Sequence, residues 1–140
     1  MNNEFVPYEE ARLLKGLGFN EPCLRYYWEG ATELMGNNTN PKTNWELTDL
    51  SNSDLKELQG TVFMSAPLYQ QAFRFFRENY DLLSEIGLKD REDLSTWKFE
   101  ITIIGKYEIA SVWANFKSYE EAELACLKKL IETVKQKQRI

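Results

Sequence analysis

The chain has no histidine. That absence excludes Ser-His-Asp and Cys-His catalysis, imidazole-ligated metals and an imidazole pH switch. Cysteine is scarce, with only Cys23 and Cys126. Two isolated thiols without histidine do not make a zinc site, and in a reducing cytosol both are expected as thiols. No apolar run approaches the roughly 18 residues of a membrane-crossing helix. The opening MNNEFVPYEE lacks the basic-then-apolar order of a secretory leader, so a cytoplasmic location is expected. Positive charge is also short: 17 Lys and Arg stand against 22 Asp and Glu, a net charge of −5. A protein that neutralises phosphates is usually basic, so nucleic acid is disfavoured as a partner. No cofactor, metal or membrane partner is expected.

Aromatic side chains are abundant: 4 Trp, 7 Tyr and 8 Phe in 140 residues. They raise the core-forming capacity of a chain whose apolar fraction is 43%. A single domain covering residues 1–140 is expected at this length.

Residues 65–80, SAPLYQQAFRFFRENY, organise the rest. At 100° per residue Leu68, Tyr69, Ala72, Phe73, Phe75, Phe76 and Tyr80 fall on one arc, which predicts an amphipathic helix with an aromatic buried face. Ser65 is placed to cap it and Pro67 to occupy its first turn. Before it, residues 7–15 read as a short helix ended by Gly16 and Gly18. Residues 23–28, CLRYYW, read as a strand with Leu24, Tyr26 and Trp28 on its core face. Residues 29–64 read as an irregular, insertion-like segment. It contains a polar loop at 36–44, a short helix at 52–58 and a short strand at 61–64.

After the central helix, residues 81–86 read as its continuation or as a separate turn. Residues 97–114 then read as a β-hairpin, with Trp97, Phe99, Ile101 and Ile103 alternating against polar residues. Gly105-Lys106 suits a two-residue turn. That turn would pair Ile101 with Ala110, Phe99 with Val112 and Trp97 with Ala114 beneath the helices. Ile104, Tyr107, Ile109 and Trp113 would then share the opposite face. Ser118-Tyr-Glu-Glu121 is a capping box opening a final helix through about 136, apolar along Ala122, Leu124, Cys126, Leu127, Leu130, Ile131 and Val134. The expected fold is α+β, an antiparallel sheet with two amphipathic helices packed on one face, extended by the strand at 23–28.

FVPYEEARLLKGLGFNEPC near the start, SAPLYQQAFRFFRENY in the middle and NFKSYEEAELACLKKLIETVK near the end together resemble one group. It consists of small, uncharacterised proteins encoded by phages and mobile elements of Bacteroidota-type bacteria. These segments cover somewhat under half the chain and contain no catalytic motif. The resemblance implies an accessory gene acting on a host component, and it carries over no functional residue.

Carboxylates cluster at Glu9-Glu10, at Glu120-Glu121 with Glu123, and at Asp90 with Glu92-Asp93. Two of these groups stand in first turns of helices, where acids favour the dipole, and the third is a charged connector. Cys126 lies on an apolar arc and reads as a small buried hydrophobe. Tyr26, Tyr27 and Trp28 could stack on bases, but no basic residues interleave with them as a single-strand binder would require. Gln70, Arg74 and Arg77 form a polar helix face able to grip phosphates or a partner's acids. An apolar outer hairpin face of Ile104, Tyr107, Ile109 and Trp113 has the character of an interface unless 29–64 or the N-terminal strand covers it.

These features together read as a non-catalytic protein-binding accessory module of phage or mobile-element origin, acting on a host or phage protein. The alternative is a binder of a nucleotide or nucleic acid through Arg74, Arg77 and exposed aromatics. An enzyme is not expected. If the molecule self-associates, an isologous homodimer is the default.

Overall fold

The computed structural model describes residues 4–28, 34–35, 51–52, 63–90, 92, 94–106 and 108–138. The 36–44 loop, the 52–58 helix beyond Asn52 and Tyr107 lie outside these residues. The fold is α+β and built on antiparallel strands. It divides into two compact units, Met1–Ala72 and Phe73–Ile140.

In the first unit, helix α1 (Tyr8–Gly16) begins after Pro7, whose extended backbone serves as N-cap. Glu9 and Glu10 occupy its first turn and Lys15 its last, each favourable to the helix dipole. Ala11 and Leu14 are buried, as are Phe5 and Val6 just before the helix. Gly18, at φ +98°, supplies the left-handed residue that turns the chain away.

Strand β1 (Arg25–Trp28) is the centre of a sheet ordered β2-β1-β3, with β2 at Leu34–Met35 and β3 at Phe63–Ala66. The strand expected at 23–28 therefore belongs to a sheet of its own and does not extend the hairpin sheet. A central strand has neighbours on both edges, and successive side chains of β1 point to opposite faces. Tyr26 and Tyr27 are both buried, as is Cys23, while Leu24 is exposed. The one-sided core face of Leu24, Tyr26 and Trp28 is thus corrected: Tyr27 donates its hydroxyl proton to the Val6 carbonyl at 2.8 Å and meets Tyr8 edge-on.

Ser65 is a strand residue, paired with Tyr26, and not a helix cap. Residues 63–66 gain a full backbone ladder against β1, which outweighs extension of the next helix by one turn. Helix α2 (Tyr69–Tyr80) starts later, and Gln71 Oε1 accepts from the Leu68 N–H at 2.9 Å. Gln71 Nε2 in turn donates to the Pro22 carbonyl. Asn52 pins the same region: its amide donates to the Phe19 carbonyl and accepts from the Ser65 N–H, at 2.8 and 2.7 Å.

Helix α2 continues into the second unit, where Phe75 and Phe76 are buried and Phe75, Phe76 and Tyr80 form a ring cluster. It stops at Tyr80 because Asp81 is left-handed, at φ 56°, a conformation Asp tolerates better than most side chains. The next element is strand β4 (Leu82–Leu88), neither a continued helix nor a turn. It pairs along its whole length with β5 (Trp97–Ile103), which pairs in turn with β6 (Glu108–Phe116). Among the described residues, the order β4-β5-β6 leaves β6 on an edge.

Helix α3 (Tyr119–Gln138) opens after Ser118 with half of the predicted capping box, because the Glu121 carboxylate reaches the Lys117 N–H and not that of Ser118. Ser118 Oγ accepts from the Glu121 N–H, and Glu121 accepts from the Lys117 N–H. Ala122, Cys126, Leu127, Leu130, Ile131 and Val134 are buried. The helix packs chiefly over β5 and β4 and less over β6. Beneath it Leu82, Phe99 and Ile101 are buried.

Candidate partner-binding surface on the edge strand

The hairpin register decides which side chains reach the surface. Beside the turn the ladder runs Ile103 to Glu108 and Thr102 to Ile109, as a Gly105-Lys106 turn predicts. Gly105, at φ +87°, takes the left-handed position of that turn. The register then slips by one: Ile101 faces Ser111, so Ala110 is the extra residue of a β-bulge. A second slip lies between Lys98 and Trp97, where Lys98 faces Ala114 and Trp97 faces Phe116. Asn115 is the extra residue there, at φ 76°, the left-handed position that Asn tolerates.

A slip of one residue exchanges the two faces of a strand. Ile109, before the first bulge, stays on the outer face beside Thr102. Beyond it Ser111 and Trp113 turn to the helix-bearing face, opposite Ile101 and Phe99, while Val112 and Ala114 turn outward opposite Glu100 and Lys98. The expected pairs of Ile101 with Ala110, Phe99 with Val112 and Trp97 with Ala114 are replaced accordingly. Trp113 does not share a face with Ile109. Ile104 sits exposed in the turn, and Tyr107 lies outside the described residues.

Helix α3 covers β6 least, so both sides of this strand reach water. Ile109 is 57% exposed, Val112 50% and Trp113 54%. Trp113 is held in place: its indole N–H donates to Ser111 Oγ at 2.8 Å, and Lys129 of α3 stands 6.0 Å from the ring centre. At the far end Phe116 stacks on Phe99, and Tyr119 meets Trp97 edge-on. The surface is therefore an edge strand with Ile109 and Val112 on one side and an anchored Trp113 on the other. Sequence reasoning misses Val112 because a valine opposite Phe99 reads as core. The bulge that turns Val112 outward falls at Ala110, which carries no local signal; Asn115, at ease in left-handed backbone, signals only the second bulge.

The remaining candidates stand apart from this strand. Gln70, Arg74 and Arg77 are exposed on α2. Both cysteines are buried thiols outside any disulfide. Burial pushes the Cys126 thiol up to about 12, with Glu123 adding to the shift and a Ser84 hydrogen bond opposing it, so it is not a poised nucleophile. Glu123, one turn earlier on α3, is half-buried. Desolvation and then the Glu120 carboxylate push it up to about 7. Tyr119 is raised too, by burial first and then by Glu123 and Glu120. Glu9, Glu120, Glu121, Asp90 and Glu92 are exposed, and Asp93 lies outside the described residues. Among the described residues no group of three or more His, Cys, Asp or Glu could hold a metal ion, and no helix is long and apolar enough to cross a membrane.

No protein-family model, no curated protein and no solved structure matches this chain.

Proposed function

We propose that this protein is a non-catalytic binding module that captures a protein partner along β6. In keeping with the group it resembles, its setting would be that of a phage or mobile-element accessory factor. The observation that carries the reading is the exposure of Ile109, Val112 and Trp113 on one edge strand. An edge strand offers unpaired N–H and C=O groups, and alternate side chains along it give selectivity to whatever pairs there. Trp113 supplies the rigid aromatic anchor typical of energetic centres in interfaces.

The test is affinity capture from lysate with the wild-type chain against Ile109→Glu and Trp113→Ala. Both positions are more than half exposed, so both variants are expected to fold, as circular dichroism would show. Loss of the same captured protein in both variants supports the reading, and unchanged recovery removes it. Thermal shift with nucleotides and short oligonucleotides separates it from phosphate recognition by Arg74 and Arg77, for which stabilisation would be required.

A further inference from the structure

The two edges of the β4-β5-β6 sheet are not equivalent. On β4 Leu82 is buried, Glu85 is exposed and the other side chains are half-buried. Strand β6 is exposed over most of its length. Natural edges are usually blunted by charge, proline or bulges. Here residues 109–116 contain neither charge nor proline, and the bulges at Ala110 and Asn115 bracket a regular stretch, 111–114. Only a short segment is thus free to pair, which favours one register over many.

We propose, building on the reading of β6 as a binding edge, that its occupant is a second copy of this chain, laid antiparallel about a two-fold axis at Val112. The two three-stranded sheets then join through β6. In this register Val112 meets Val112 of the second copy on the outer face. Trp113 meets Ser111 of the second copy, within the regular stretch between the bulges. Each large ring therefore lies beside a small side chain, and it is the side-chain type that Trp113 already hydrogen-bonds within its own chain.

Charge selects the same orientation. Glu108 is the only charged residue of β6, and Lys117 comes directly after the strand. Antiparallel pairing brings Glu108 of one copy to the end of the other strand, where Lys117 stands. Parallel pairing would set Glu108 against Glu108, a destabilising arrangement. Pairing like edge with like edge also closes the assembly, whereas β6 against β4 would propagate. A strand pair buries less than the roughly 1,200 Å² of a standard interface, which places the dimer among weak, concentration-dependent associations.

Sedimentation equilibrium of the wild-type chain, from about 5 to 500 μM, tests this. Concentration-dependent dimerisation is expected. Val112→Lys, which sets like charges on the axis, is expected to weaken it at least about tenfold with its unfolding midpoint nearly unchanged. Mixing Val112→Lys with Val112→Glu is expected to restore a one-to-one heterodimer. A wild-type chain that stays monomeric throughout, or a dimer indifferent to Val112→Lys, overturns the proposal. Monomeric wild type with capture still lost in Ile109→Glu removes the second copy and leaves the binding reading standing. A dimer broken by Val112→Lys, with capture unchanged in Ile109→Glu, does the reverse.

Discussion

Asn52 shows how much a single side chain settles in the first unit. It is buried, and its two hydrogen bonds join the carbonyl of Phe19 to the N–H of Ser65, groups far apart in sequence. Asn52→Ala leaves both without that partner, at about 1–3 kcal/mol each. Urea denaturation is expected to show a loss of about 2–6 kcal/mol. Glu123 gives the molecule a pH dependence of known sign. Its folded value of about 7 exceeds the 4.5 of an ordinary glutamate, so the folded state holds the extra proton between them. The stability this confers is full below about 4.5 and is lost as pH rises through about 7. Thermal melts are expected to give a higher midpoint at pH 5 than at pH 8. Glu123→Gln, neutral throughout, is expected to flatten that difference. A slope unchanged by Glu123→Gln would assign the effect to another group.

At the scale of elements, α3 and β6 obey different rules. The start of α3 is local chemistry: Ser118 accepts from the Glu121 N–H, which the first turn cannot satisfy, and Glu121 accepts from the Lys117 N–H just before the helix. Ser118→Ala is expected to cost about 1 kcal/mol, read from the urea midpoint. Strand β6 is shaped by its bulges. Asn115 holds a left-handed backbone that a β-branched side chain strains. Asn115→Val is therefore expected to destabilise by about 1–3 kcal/mol. Asn115→Gly, free of that strain, is expected to stay within about 1 kcal/mol of wild type. If Asn115→Val is neutral, the bulge is not where the register slips.

For the whole molecule, the net charge of −5 and the isoelectric point of 4.9 oppose the approach of two copies. The proposed contact is apolar, with complementary charges only at its ends. Raising the salt from about 0.05 to 0.5 M shortens the screening length from above 10 Å toward 4 Å. Self-association is expected to tighten across that range. Weakening with salt would mean that charge pairs, and not the apolar edge, hold the copies together.

The helices were legible in the sequence because their determinants are local. Periodicity set the buried arcs of α2 and α3, Pro7 and Ser118 marked starts, and Gly105 marked the hairpin turn with its nearest pairs. What tertiary structure decided was non-local. Ser65 reads as a helix cap until β1 offers it a ladder. Residues 82–88 read as helix or turn until β5 pairs with them. The face on which Val112 and Trp113 stand rests on Ala110, an ordinary residue that becomes a bulge through its place in the ladder. Helix capping and periodicity act within a few residues, whereas strand partnership and register depend on distant segments meeting. For that reason the sequence determined the α+β class and the covering helix, while the exposed edge emerged only once the strands were paired.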